Sequence, residues 1–140
     1  MINQDRRELR QAYFDAWEKF KAQKPLEPLE DEIVKALCEH PEYQSLIENH
    51  EIDGDKEFTA ESGEVNPYLH LGLHIATREQ VSTDRPKGIA KIYKKLKAKV
   101  GAHDADHAIM GVLADSLWRM YHQQEEFDEK VYIDELKTLL

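Results

Sequence analysis

Apolar residues recur every three or four positions along almost the whole of this 140-residue chain. That spacing places them on one face of an α-helix, whereas a half-buried β-strand needs them at every second position. Only the neighbourhood of Phe58 leaves a strand open. The pattern therefore predicts an all-α protein, a single compact helical bundle of about six or seven helices, with residues 1–140 forming one domain.

Prolines, glycines and capping residues divide this pattern into segments. Pro25 ends the first helix, because proline cannot continue a helix and disfavours helical geometry in the residue before it. Asn66 and Pro67 mark the clearest helix start, since asparagine is a good N-cap and proline suits the first helical position. Gly101 is a plausible C-cap. The first, sixth and last predicted helices cover about 3–23, 102–124 and 130–140; the second begins near Pro28, the third at the break His40-Pro41, the fourth at Asn66-Pro67, and the fifth holds Ile89 to Val100.

Two pairs of histidines stand out: His70 with His74, and His103 with His107. Residues four apart project from the same face of a helix on successive turns, and two imidazoles so placed can bind one metal ion. The fourth predicted helix is apolar on nearly all sides, which is typical of a buried helix. We therefore expect the fourth and sixth helices to form the centre of the bundle and these histidines to bind a divalent or redox metal ion, zinc or iron before others.

Further ligands or neighbours of the ion could come from four residues: Asp106, Glu79, His40 and Glu42. Of these, Glu79 falls on the helix face opposite His70. Two alternatives stay open. The histidines can be core residues satisfied by hydrogen bonds, and Asp104 is a good N-cap, so a helix that starts there would leave His103 outside it.

The sequence contains none of the catalytic motifs considered below. Neither histidine pair carries the glutamate of zinc peptidases, because residues 71 and 72 are Leu and Gly, and residues 104 and 105 are Asp and Ala. The Glu-x-x-His motifs of di-iron bundles, phosphate-binding loops and nucleophile elbows are also missing. No catalytic residue is assigned, and enzymatic activity is left open.

The net charge of -9 argues against binding to nucleic acid or to an anionic membrane surface. Positive charge is concentrated in residues 85–99, and negative charge in residues 125–129. An alternative function is therefore a non-enzymatic interaction module that uses the basic helix 87–99 or the turn-rich loop 50–66. A homo-oligomer in which the basic and acidic segments pair is compatible with either function.

Cysteine content and hydropathy bear on the compartment. Cys38 is the one cysteine, so an intrachain disulfide is impossible, and the polar start shows no export segment. No apolar run approaches the length needed to cross a bilayer. These features predict a cytoplasmic protein, and Cys38, next to Leu37, is predicted to be a small buried side chain.

The segment from Asn66 to Ile75, continued by Glu79-Gln80 and by residues 84–89, resembles a family of bacterial proteins described as domain of unknown function 1841, found mainly in proteobacteria. The resemblance covers nearly the whole chain, and its family members usually carry Glu where this chain has Asp106. It implies a free-standing cytoplasmic bacterial protein and no particular activity. The other matching residues are His40-Pro41-Glu42-Tyr43, His103, His107 and Leu117-Trp118.

Overall fold

The computed structural model describes residues 4–56, 58 and 66–140. Over these residues every regular element is a helix, which confirms the all-α prediction. The chain divides into two compact units, residues 1–72 and 73–140, with the boundary inside one helix, and the single domain stays a prediction. The helices are α1 (Gln4–Lys21), α2 (Pro28–Glu39), α3 (Pro41–Glu48), α4 (His50–Asp53), α5 (Pro67–Thr83), α6 (Ile89–Val100), α7 (Ala102–Gln123) and α8 (Glu129–Lys137).

The ends of α5, α6 and α7 follow the local chemistry that the sequence indicated. The Asn66 side chain accepts hydrogen bonds from the backbone N–H groups of Tyr68 and Leu69, at 3.0 and 3.3 Å. Gly101 ends α6 at a φ of 91°, which favours glycine. Because α7 begins at Ala102, His103 lies inside the helix, and the start at Asp104 is wrong.

In the first unit, α1 packs against α2 and α3. Its buried Arg10 donates hydrogen bonds to the carbonyl oxygens of Gly54 and Lys56, at 3.0 and 2.7 Å, and its guanidinium lies 4.3 Å from the centre of the Tyr68 ring. These contacts join the segment after α4 to α1 and to the start of α5. The core side chains are Tyr13, Phe14, Ala16, Trp17, Ile33, Val34, Ala36, Leu37, Ile47, Tyr68 and Leu71.

Two predictions about this unit need correction. Cys38 is exposed, because the face of α2 that carries Ala36 and Leu37 is the buried one and residue 38 falls beyond it. Part of the predicted loop is the single helical turn α4. Phe58 is half-buried, with its ring 6.3 Å from that of Tyr68, as expected of an anchor, whereas residues 57 and 59–65 lie outside the described residues.

In the second unit, α7 packs against α6 and α8. The buried cluster consists of Ile89, Ile92, Leu96, Ala105, Ile109, Leu113, Tyr132 and Leu136. Burial raises the pKa of Tyr132 to about 12, and its hydroxyl donates a hydrogen bond to Gln80 Oε1 at 2.7 Å. Asp128 caps α8 by accepting from the N–H groups of Lys130 and Val131.

The apolar pattern of α7 continues beyond this core. Leu117, Trp118 and Met120 belong to the periodic pattern of the sequence but are exposed in the structure. Leu117 and Met120 follow Leu113 by four and seven residues and so continue its buried face, which is no longer covered at this end of α7, whereas Trp118 falls outside that face. Among the helices described, none combines the length and the apolar character that a membrane crossing requires.

Candidate metal-binding site

In the first unit, His40 lies against His70. His40 stands between α2 and α3, where Pro41 disfavours helical geometry in the residue before it, and its side chain is buried. Its Nδ1 lies 2.7 Å from the carbonyl oxygen of Ala36, and its Nε2 lies 3.1 Å from Nε2 of His70. The break between two helices thus directs an imidazole nitrogen at the first histidine of α5.

The hydrogen bond to Ala36 determines which nitrogen of His40 carries the proton. A carbonyl oxygen only accepts, so His40 Nδ1 donates, and a neutral imidazole then keeps a lone pair on Nε2. A ring N–H donated to a backbone carbonyl, with the other nitrogen left for the ion, is the usual arrangement of a metal-binding histidine. His40 is therefore prepared to bind a cation on the side that faces His70.

Tyr43 completes this ring cluster. Its ring is stacked on that of His40, with centroids 5.4 Å apart, and meets the ring of His70 edge-on at 5.8 Å. Burial raises the pKa of Tyr43, and the neighbouring Glu42 raises it further, so the phenol stays neutral at ordinary pH. Tyr43 thus provides apolar packing that fixes both imidazole planes.

In the second unit, His74 lies against His107. His74 is 1% exposed, and its ring meets that of His107 edge-on, with centroids 4.7 Å apart. His107 Nδ1 lies 2.8 Å from the carbonyl oxygen of His103. As in His40, this hydrogen bond places the proton on Nδ1 and leaves the lone pair on Nε2.

The ring of His103 has a different environment from the other predicted ligands. His103 is exposed, in the first turn of α7, and its ring centroid lies 4.3 Å from that of His107. The two histidines are therefore neighbours on the helix, as their spacing predicted, and the backbone carbonyl of His103 orients the ring of His107. That the His103 ring itself binds an ion stays a prediction.

His70 and His74 stand on consecutive turns of α5, about 6 Å apart along the helix axis, as their spacing predicted. The group of histidines that could hold a metal ion, each through one ring nitrogen, consists of His40 and His70 in the first unit and His74 and His107 in the second. The group includes three of the four residues that the sequence singled out. It also includes His40, which the sequence indicated only as a further ligand, and the signal for it was a histidine before a helix-starting proline.

The other candidate ligands have different surroundings. The Asp106 carboxylate lies 3.7 Å from the guanidinium of Arg78, so it already has a cationic partner. Glu79 and Glu42 are exposed. The exposed position of Glu79 agrees with its place on the helix face opposite His70.

The comparisons with known proteins establish the family. The family model described as Domain of unknown function (DUF1841) matches residues 5–138, and the chain belongs to that family. No curated protein matches the chain, and no solved structure matches it. The membership confirms the resemblance seen in the sequence and carries no activity with it.

Proposed function

We propose that this member of the DUF1841 family binds one metal ion through His40, His70, His74 and His107. The observation that carries the proposal is the 3.1 Å separation between Nε2 of His40 and Nε2 of His70. Two nitrogens bound to one tetrahedral zinc ion lie about 3.3 Å apart, given zinc–nitrogen bonds of about 2.0–2.1 Å. The first unit thus holds two imidazole nitrogens at nearly the spacing of two ligands of one ion.

The competing explanation of this short distance is a hydrogen bond between the rings. Because His40 Nδ1 donates to Ala36, a neutral His40 only accepts at Nε2, and His70 Nε2 would have to donate. A metal ion and a hydrogen bond at this position require opposite protonation states of Nε2 of His70. The ion needs a lone pair at Nε2, and the hydrogen bond needs a proton there.

The positions of the histidines on and beside α5 support two further ligands, His74 and His107, in addition to His40 and His70. His74 follows His70 by one turn, a spacing at which two histidines commonly bind one ion. His107, which faces His74, has its lone pair on Nε2. Each histidine of α5 therefore has a second imidazole beside it, from its own unit of the chain.

The donor atoms indicate the kind of ion. Four neutral imidazoles offer nitrogen only, which suits zinc, copper, nickel or iron and not magnesium or calcium. Zinc is our first choice, and four protein ligands complete its tetrahedron. Since catalytic zinc keeps one position open for water or substrate, such a site holds or stores the ion and does not activate water. We place this function in the cytoplasm, because a chain with a single cysteine forms no intrachain disulfide.

Calorimetric titration of metal-free, tag-free protein with zinc tests the proposal. We expect one ion per chain for the wild type, no binding of magnesium, and an affinity at least about 100-fold lower for His70→Ala, which loses a direct ligand. His122→Ala is the matched control, because His122 is exposed at the end of α7 and stacks only on Trp118 and Tyr121 among the described rings. Circular dichroism checks that each variant folds, and His70→Gln replaces the alanine variant if it does not. A wild type that binds no zinc, copper, nickel or iron contradicts the proposal.

A further inference from the structure

We propose that the exposed end of α7 and the acidic segment after it dock the basic helix α6 of a second copy of this chain. The exposed end of α7 is defined by Leu117, Trp118 and Tyr121, and the acidic segment by residues 125–129. The inference is independent of the metal site, since it uses none of the four proposed ligands.

The exposed end of α7 is an apolar stripe. Its three side chains are 42%, 54% and 83% exposed, and they stand at positions i, i+1 and i+4 of the helix. Single exposed apolar residues are common, but an adjoining leucine, tryptophan and tyrosine form a patch of the composition found in the centre of protein interfaces. Tryptophan and tyrosine are also the residues that most often dominate binding energy there.

The acidic segment adjoins this stripe. α7 ends at Gln123, the left-handed backbone of Gln124 then turns the chain, and the side chains of Glu125 and Glu126 are exposed directly after it. Phe127 packs on Tyr132, with ring centroids 5.3 Å apart, and so anchors the segment to the core of the second unit. A groove of about 290 Å³ lies between Met120, the two glutamates, Asp128 and Val131, and its cation, Arg119, is paired with Glu135 at 2.7 Å. Its size and its carboxylates suit long aliphatic side chains that end in a positive charge.

The basic helix α6 supplies side chains of that kind. Lys91, Lys94 and Lys95 are exposed, outside the face of the helix that buries Ile92 and Leu96. Lysines of α1 and α2 by contrast take part in ion pairs, such as Lys19 with Glu30 at 2.8 Å and Lys35 with Asp31 at 3.0 Å.

Charge complementarity identifies the occupant as a second copy. The chain carries a net charge of -9 yet concentrates positive charge on α6 and negative charge after α7, so each copy offers both halves of the contact. Lysine stems can cover the apolar stripe while their ammonium groups lie over Trp118 or pair with Glu125 and Glu126. In a two-fold dimer the contact forms twice, since whatever one copy contacts on its partner the partner contacts in return.

Charge reversal with complementation tests this dimer by sedimentation velocity over a dilution series. One variant carries Lys94→Glu with Lys95→Glu, and the other carries Glu125→Lys with Glu126→Lys. Asp128 is left unchanged because it caps α8. The matched control carries Asp15→Lys with Glu51→Lys, two exposed acids of the first unit that change the net charge by the same amount as the second variant.

We expect the wild type and the control to sediment as dimers, each charge-reversed variant alone to dissociate at concentrations at least tenfold higher, and their equimolar mixture to recover the dimer. Trp118→Ala with Tyr121→Ala should also dissociate. A wild type that is monomeric at every concentration, or a mixture that stays monomeric, overturns the proposal. Lys94→Gln with Lys95→Gln repeats the test if a reversed variant fails to fold.

Discussion

The two histidine contacts of this molecule, one in each unit, share the same hydrogen-bonding pattern but take their second histidine from different kinds of position in the chain. His40–His70 and His74–His107 both join a histidine of α5 to one from another segment of the chain, and both partners donate Nδ1–H to a carbonyl oxygen four residues earlier. His40, however, is buried at a break between two helices, whereas His107 is half-buried within a continuous helix. The comparison shows that a histidine of α5 can meet its partner either from a break between two helices or from within a helix.

Acidification should lower the zinc affinity more than any other change, and its effect can be compared between a variant of the His40–His70 contact and a variant of the His74–His107 contact. Imidazole binds a metal only when neutral, so in acidic solution each proton that the ion must displace lowers the affinity about tenfold per pH unit. We expect the wild-type slope of log affinity against pH to fall by about one in His40→Ala and by about one in His107→Ala. Zinc titrations at a series of pH values measure it, and an unchanged slope in either variant removes that histidine from the site.

The second effect is a loss of zinc affinity of about 100-fold, which we expect when His40 is replaced and not when His103 is replaced. His40→Ala should bind zinc about 100-fold more weakly than the wild type, because Nε2 of the buried His40 lies 3.1 Å from Nε2 of His70. His103→Ala should stay within a few-fold of the wild type, because its ring is exposed and the carbonyl that orients His107 remains. Competition with a chromophoric chelator gives both constants. A loss of about 100-fold in His103→Ala with no loss in His40→Ala would instead favour the four ligands that the sequence predicted.

A third comparison uses one buried tyrosine in each unit. Burial, aided by the nearby Tyr68, raises the pKa of Tyr13 to about 12, and burial alone raises that of Tyr132 to about 12. A phenol whose pKa is higher in the folded state stabilises the fold below its unfolded value of about 10 and loses this contribution as the pH rises from 10 through 12. The loss is at most about 2.7 kcal/mol per tyrosine, from two pKa units.

Urea unfolding between pH 9 and pH 12 measures this dependence. Tyr13→Phe and Tyr132→Phe should each flatten the decline in the free energy of unfolding by a similar amount. Tyr43→Phe, at a half-buried position, is the matched control and should flatten it less. A decline that neither of the first two variants changes would show that these phenols ionise equally well in the folded state.

The smallest expected effect concerns the two helix caps, Asn66 and Asp128. Asn66→Ala and Asp128→Ala should each cost about 1 kcal/mol of stability, because each cap accepts from two backbone N–H groups. Only Asn66 caps the helix that carries His70 and His74, so only its removal should also weaken zinc binding, by a few-fold. Equal zinc affinities in the two variants would mean that the start of α5 is held without its cap.

Local signals explain how much of this structure the sequence predicts. The caps at Asn66 and Gly101 depend on neighbouring residues, and both helix boundaries were predicted correctly. The contact of His40 with His70 spans 30 positions and depends on tertiary packing, so spacing along one helix does not reveal it. The exposure of Cys38 and Trp118 has the same cause, since a periodic pattern shows which residues share a face and not where the covered face ends.

X-ray absorption at the zinc edge, on the tag-free protein loaded with one equivalent of zinc, tests the central claim most directly. The account predicts a single shell of four nitrogen donors at about 2.0 Å and the outer-shell scattering of four imidazole rings. His40→Ala and His107→Ala should each lose one ring from that pattern. A shell dominated by oxygen, or fewer than four imidazoles in the wild type, would contradict the claim that both histidine contacts of α5 bind one ion.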